Sequence, residues 1–438
     1  MKQQSTAREL VLFSLPLILS GVLQQLYSWA DAFIVGRVEG ELPLAAIGAT
    51  TSISYFFINT IIGLTLGLSI LGAQRFGSGD RRAVGGILKC FLPLLTSACA
   101  VLSAAAFVLA GPILRLMGTP ADIFDQAEAY LKIVFLGIPF LSSYNLYAAL
   151  LRAVGNTKAA FYSVLLSSGL NVALDALFVA AFGWGVKGAA WATVISQAAM
   201  TVFIVIYSVK NYDCLRITRR EQWFDGRVFR QGLRFSVPPA VQNGVTSFGN
   251  LVLQNFMNSF GSVTVLAITT AYRVDSMMLL PIFNLGAAIS SMAARAKGAN
   301  DQNKIRSCFS TGLWMMVAFC GALSVVMFTL GAKFVALFGV GNEALAIGRQ
   351  FFRDLSVFYV LFGVGIVFRS VLEGVGDLTW CSAIGIGMLG ARIVFSYLLR
   401  PWIHVRTIAI AEGIAWILML GVLCWRVWYM HRKKMKTA

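Results

Sequence analysis

The sequence predicts an all-α integral membrane protein with twelve transmembrane helices in two six-helix bundles related by an internal parallel repeat. Three observations predict it. Of 438 residues, 58% are hydrophobic and only 13% are charged, whereas a soluble domain carries roughly 25% charged and about 45–50% apolar residues. The apolar residues form runs long enough to span a bilayer as helices, and the alternating segments of about ten residues that build a membrane barrel are missing. Short segments also recur at one fixed offset along the chain.

The first six apolar runs are 10–35, 44–72, 86–111, 130–150, 159–181 and 186–209. The second six are 231–258, 264–293, 308–330, 350–372, 380–399 and 407–427. An N-terminal lobe at 1–209, a basic cytoplasmic linker at 210–230 and a C-terminal lobe at 231–438 follow from this grouping. The first run is too long for a secretory signal, contains Asp31 and lacks a small-residue cleavage site, so it is expected to stay as the first helix.

The net charge of +17 would suggest nucleic acid in a soluble protein. Here the basic residues sit in alternate short connectors: Arg75, Arg81, Arg82 and Lys89; Arg152 and Lys158; the stretch 210–234; Arg295, Lys297, Lys304 and Arg306; and the tail from Arg426 to Lys436. The positive-inside rule makes these cytoplasmic, puts both termini inside, and predicts a multi-pass protein of the plasma membrane. Arg400 and Arg406 in the last outer loop run against the trend. No basic-aromatic array for nucleic acid is present. The stretch 210–234 mixes six arginines with Trp223, Phe224, Val228 and Phe229. It reads equally as a short amphipathic helix on the membrane surface or as an ordinary basic connector.

The repeat is explicit. Residues 73–80 parallel 294–301, 116–118 parallel 337–339, and 151–156 parallel 372–377. The offsets are 294 − 73, 337 − 116 and 372 − 151, each 221. Six spans return the chain to the side it started from, so the halves are parallel repeats about an axis along the membrane normal. A cavity is expected between or within the bundles, and Gly63/Gly67 and Gly385/Gly387 suit close helix packing.

Polar residues inside the runs mark the chemistry. Gln24, Tyr27 and Asp31 share one face of the first span, and Ser167, Asn171 and Asp175 share one face of the fifth. A carboxylate at membrane depth costs about 3 kcal/mol or more unless it faces protein or water. Asp31 and Asp175 lie at similar depth, with Thr193 level with them in the sixth span. Tyr55 and Asn59 in the second span and Tyr144, Asn145 and Tyr147 in the fourth add polar surface. Two facing acids in a poorly hydrated cavity need a proton or a metal cation. Asp31, Asn171, Asp175 and Thr193 offer the hard oxygens that suit H⁺ or Na⁺.

The second half lacks this set: at the repeat offset Asn171 becomes Arg392, Asp175 becomes Ser396 and Asp31 becomes Val252. It carries instead a polar face on span seven, from Asn243 to Gln254 and Asn258, together with Asp275, and with Arg392 and Glu412 expected to pair as a structural bridge. Met257, Met277, Met278 and Met292 could line an adaptable surface or simply fill the core. The seven cysteines form no CxxC pair, and His404 and His431 are far apart, so neither disulfides nor a metal cluster is expected.

Gln24-Gln-Leu-Tyr27, Asp31 to Gly36 and Leu44-Ala-Ala-Ile-Gly48, with Pro16 before them, resemble the first two helices of the multidrug and toxic compound extrusion (MATE) family. Gly77 and Asp80, Gly155-Asn-Thr157 and Asn171-Val-Ala-Leu-Asp175 are similar to the family pattern as well. The resemblance implies a secondary antiporter exporting amphipathic, often cationic compounds against H⁺ or Na⁺, with no cofactor beyond that ion. It implies an N-lobe cation site of Asp31, Asn171, Asp175 and Thr193, with a backbone oxygen from Ala189. It also implies cavity positions at Gln24, Tyr27 and Asn145 and a bend at Pro16, a residue whose missing N–H weakens the helix ladder. Tyr55, Asn59, Gln254, Asn258 and Met277 complete the expected substrate cavity.

One departure stands out. Some members carry acids in spans seven and ten, whereas span seven here is neutral, and the acids of span ten are Asp354 and Glu373 near its ends. The expected partners are small organic molecules and membrane lipid, with the chain acting as a monomer. Cation binding is expected to favour one arrangement of the bundles and substrate the other. The alternative is a lipid-linked oligosaccharide flippase of the same superfamily, which the acidic first-half cavity disfavours. No HExxH, GxSxG or Ser/His pair marks an intramembrane enzyme, and a two-lobe repeat fits a carrier better than a channel.

Overall fold

The 221-residue repeat is written in the backbone. In the computed structural model, which describes residues 5–216 and 224–437, φ is positive at Gly40, Gly79, Gly118, Gly155 and Gly183. It is positive again 221 residues on at Gly261, Asn300, Gly339, Gly376 and His404. Each position ends one helix so that the next can start. Gly79 (φ 83°) is replaced by Asn300 (φ 56°), asparagine being among the few side chains that adopt this conformation readily. The helices that follow begin alike: Asp80 accepts a hydrogen bond from the Ala83 amide at 3.0 Å, and Asp301 accepts one from Lys304 at 2.9 Å.

The first half contains α1 (Thr6–Val38), α2 (Glu41–Gly77), α3 (Arg81–Leu116), α4 (Ala121–Phe135), α5 (Ile138–Ala153), α6 (Lys158–Asp175) and α7 (Gly185–Asn211), with a π-helical segment, Ala176–Ala181, continuing α6. The second half contains α8 (Gly226–Asn258), α9 (Ser262–Gly298), α10 (Gln302–Ala336), α11 (Asn342–Ser356), α12 (Tyr359–Val375), α13 (Leu378–Ile403) and α14 (Thr407–Thr437). Eight stretches among the described residues are long and apolar enough to cross a membrane, and ten if each bent pair counts as one span. One of the eight, Leu378–Met430, holds both α13 and α14. The more polar α8 completes the twelve-helix, two-lobe fold.

Two spans differ from the expectation of single straight helices. Span four is α4 and α5 meeting at 44°, and span ten is α11 and α12 meeting at 51°. The first limb, α4, starts well before the apolar run because Asp122, Asp125, Glu128 and Lys132 mask it in hydropathy. It is nevertheless helical, with Glu128 and Lys132 paired at 2.8 Å one turn apart. Pro139 just after the break has no N–H to give back to α4.

One compact unit comprises Leu15–Ala240 and the other Met1–Ser14 with Val241–Ala438. The start of α1 therefore belongs with the second half, where Glu9 pairs with Lys304 at 2.5 Å and Thr6 bonds Ser307 at 2.7 Å. The start of α8 belongs with the first half. Gly63 makes room for it: a methyl at that glycine would stand 2.7 Å from Ala240 Cα. Gly67 faces Phe235 and Ser236 in the same way, and Gly385 faces Gln242, but Gly387 has open space and no packing role.

Packing repeats with the sequence. In the first unit α2 and α3 each pack on α4 and α5, and α7 packs on α4, α5 and α6. In the second, α9 and α10 each pack on α11 and α12, and α14 packs on α11, α12 and α13. The core of the first unit is centred on Leu68, Phe91, Tyr147 and Leu150, with Leu215 from the linker fully buried against it. Of the linker, Asp213–Leu215 forms a 3₁₀ turn and α8 begins at Gly226. Arg219, Arg220 and Trp223, part of the amphipathic-helix reading, lie outside the described residues.

Candidate cation site

The site lies in the Leu15–Ala240 unit, where α1, α4, α6 and α7 supply its side chains. Asp175 is fully buried and Asn171 is 2% exposed, one turn apart on α6. The π-helical segment begins immediately after Asp175, and such segments recur at functional positions. On α7, Thr193 donates its hydroxyl to the Ala189 carbonyl at 3.1 Å, which puts that hydroxyl oxygen and the backbone oxygen side by side. Ser167 ties α6 to α7 by donating to the Ser196 carbonyl at 3.1 Å.

Electrostatics joins these residues to α1. Asp31 and Asp175 are near enough to repel one another. Tyr27 senses both Asp31 and Tyr55. Tyr130 of α4 senses Asp31, Asp175 and Tyr27 and lies beside Thr193. Among the described residues, Asp31 Oδ1, both oxygens of Asp175 and both amide atoms of Asn171 are buried without a hydrogen-bond partner. Buried polar groups almost always have partners, and leaving one unmade costs about 1–3 kcal/mol. Three neighbouring side chains left in this state bring two carboxyl groups and an amide oxygen into one buried region, with the Thr193 hydroxyl and the Ala189 carbonyl on the adjoining helix.

Comparison with known proteins identifies the family. A family model described as MatE matches residues 16–177 and again residues 238–398. The chain belongs to the MATE family. The two matches start 238 − 16 = 222 residues apart and end 398 − 177 = 221 apart, the spacing of the internal repeat. The chain is 27% identical over 417 residues to the probable multidrug resistance protein YpnP of Bacillus subtilis, covering 95% of this chain and 93% of that one. Crystal structures of MATE in a straight and in a bent conformation each superpose with a TM-score of 0.91 at 23% identity, covering 99% of this chain and 98% of theirs. The protein is thus a multi-pass membrane transporter of the MATE fold and not an enzyme.

Other residues expected to line a MATE cavity fall into two groups. Gln24 and Tyr55 are exposed, Asn59 is half-buried, and Asn145 turns its amide back to the Leu141 carbonyl at 2.8 Å. In the other unit Gln254 donates to Asn258 at 3.1 Å, and Met277 is half-buried. Met257 and Met292 are buried and belong to the core, so they are not lining residues. Pro16 sits within an uninterrupted α1, one residue beyond the Ser14/Leu15 division between the two compact units, and its carbonyl accepts the Ser20 hydroxyl at 2.7 Å.

The Val241–Ala438 part of the second unit has its own buried polar network. Arg392 and Glu412 pair at 3.0 Å, as the sequence led us to expect. Tyr272 joins them, accepting from Arg392 at 2.6 Å and donating to Glu412 at 3.2 Å. Asp275, 3% exposed, accepts the Tyr359 hydroxyl. Gln242 on span seven accepts from Arg369 at 2.8 Å, and Arg369 also holds Glu373 at 2.7 Å. These groups have partners where those of the first unit do not.

Sequence reasoning missed Tyr130. It stands at the edge of an apolar run with no polar residue one turn further into that run, and only the packing of α4 against α7 brings it near Thr193. The available signal was the repeat, since its counterpart 221 residues on is Phe351, so the scaffold alone does not require the hydroxyl.

Proposed function

We propose that this MATE protein is an antiporter that exports amphipathic, cationic organic compounds across the plasma membrane in exchange for H⁺ or Na⁺, acting as a monomer with both termini in the cytoplasm. The observation that carries this reading is the unpartnered set of buried atoms on Asp31, Asn171 and Asp175. The name of the relative YpnP, a probable multidrug resistance protein, supports the substrate class.

The chemistry follows from charge. Asp31 and Asp175 repel until a cation neutralises one or both. The coupling ion would be held by those carboxylates, the Asn171 amide oxygen, the Thr193 hydroxyl and the Ala189 carbonyl. Tyr130 stands beside the Thr193 hydroxyl and adds a polar group to the same region. An organic cation drawn to the same negative charge competes with the ion, and competition for one site yields exchange. Each ligand shifts the conformational equilibrium only by its difference in affinity between the states. Pro16 gives α1 a weak point in its ladder through which occupancy of Asp31 is transmitted. A MATE relative solved in straight and bent forms supports such a transition. A flippase for anionic lipid-linked sugars would need positive charge where this site concentrates acids.

Efflux of a fluorescent organic cation from proteoliposomes, driven by an imposed pH or Na⁺ gradient, tests the reading. Asp31→Asn and Asp175→Asn should each abolish gradient-driven transport in protein that still elutes as a folded monomer. Full transport by both variants would sink the site assignment.

A further inference from the structure

A second feature of the Leu15–Ala240 unit is built from residues other than those of the cation site. A cavity of about 440 Å³ opens where the end of α2, the start of α3 and the start of α8 meet. Arg75, Arg82, Lys89 and Arg227 line it, against two acids, Asp80 and Asp225. Cationic side chains thus outnumber acidic ones in the lining by four to two. Both acids are also engaged as helix caps: Asp80 accepts from the Ala83 amide at 3.0 Å, and Asp225 accepts from the Arg227 amide at 2.7 Å. Arg75 donates to the neutral amide oxygen of Gln231 at 2.7 Å, which positions its guanidinium without neutralising it. Lys89 is only 8% exposed, while Arg82 and Arg227 reach solvent. The N-termini of α3 and α8, each positive by its peptide dipoles, begin beside this cavity.

The repeat separates scaffold from addition. At the offset of 221, Asp80 corresponds to Asp301, so the capping acid is kept in both halves. Arg75, Arg82 and Lys89 correspond to Ala296, Asn303 and Ser310, so these cations occur only in the first half. Closing a helix turn does not require them. A concave site of this size with convergent cations suits a ligand of several oxygens and negative charge.

We propose that this cavity binds a phosphate group through Arg75, Arg82, Lys89 and Arg227, and that occupancy fastens the first turns of α8 to α2 and α3. The phosphate can come from an anionic phospholipid headgroup or from a soluble phosphate, and both offer the same oxygens to the same donors. The inference does not depend on the cation-site reading.

The test uses the full-length protein without any gradient. Thermal unfolding is followed while inorganic phosphate is titrated against chloride at equal ionic strength, and separately in nanodiscs of phosphatidylglycerol against phosphatidylcholine. Stabilisation by inorganic phosphate identifies a soluble ligand, and stabilisation by phosphatidylglycerol alone identifies a lipid. Arg82→Gln with Lys89→Gln should weaken the response at least about tenfold, whereas Arg216→Gln, outside the cavity, should leave it unchanged. Hydrogen exchange on the wild type should show the α8 segment 227–231 protected by the active probe, which decides the matter even if the double variant does not fold. A wild type that responds to neither probe, a response retained in the double variant, or protection located elsewhere would overturn the proposal.

Discussion

Replacing Asn171 by leucine distinguishes a site built for a cation from one built for the fold. Asn171 is 2% exposed, and among the described residues neither atom of its amide has a hydrogen-bond partner. Each such atom costs about 1–3 kcal/mol, so together they raise the unloaded fold by roughly 2 kcal/mol at the low end of that range. Leucine keeps the branch at Cγ and brings nothing that needs a partner. Its extra bulk takes back about 1 kcal/mol through overpacking. The unloaded variant should therefore be more stable than wild type by about 1 kcal/mol or more. The effect of the ion has the opposite sign. A ligand at about a hundred times its Kd stabilises the folded state by about 2.7 kcal/mol, and loss of the amide oxygen should remove most of that shift. Unfolding of the detergent-solubilised protein is read by tryptophan fluorescence in Na⁺-free potassium buffer at alkaline pH, with Na⁺ or acid then titrated in. A variant less stable than wild type in the starting buffer, with its Na⁺- or acid-induced shift intact, would make Asn171 a scaffold residue and refute the reasoning.

Three further outcomes are expected. Tyr130→Phe removes the hydroxyl that lies near Asp31, Asp175 and Thr193 and should raise the cation concentration for half-maximal transport about fivefold, the equivalent of one hydrogen bond of about 1 kcal/mol; an unchanged half-saturation would exclude Tyr130 from the site. Arg392→Ala leaves Glu412, 7% exposed, without its partner and should destabilise by about 3–5 kcal/mol, while adding Glu412→Gln should restore part of the loss in a thermal-shift double-mutant cycle. Equal losses in the single and double variants would show that the pair is not coupled. Gly63→Ala should cost about 1–3 kcal/mol, because its methyl meets Ala240 backbone at 2.7 Å, whereas Gly387→Ala has open space and should be neutral. Equal effects at the two glycines, measured by folded yield and midpoint, would contradict the packing described.

The one-dimensional pattern determined the architecture. Run length, charge in alternate connectors and the 221-residue offset are properties of order along the chain, and membrane insertion reads them in that order. For the same reason the acids Asp31 and Asp175 stood out, since a charge inside an apolar run needs no tertiary structure to be conspicuous. Packing decided the rest. The bend between α4 and α5 was hidden because four charged residues interrupt the apolar face of α4 and obscure where the span begins, and that bent span carries Tyr130 to the vicinity of Thr193. The exchange of the first turns of α1 and α8 between the compact units depends on close contacts such as Gly63 with Ala240, which run lengths do not encode. The basic cavity likewise needs three helix ends brought together, although each of its arginines looked like an ordinary connector charge. Above all, the sequence pointed to an Arg392–Glu412 pair in the C-terminal half, but it did not show the partner of Asp275 or that the first-half acids have none among the described residues. Hydrogen bonding is a relation between side chains in space. Tertiary structure gave Glu412 and Asp275 their partners and left Asp31, Asn171 and Asp175 without any among the described residues.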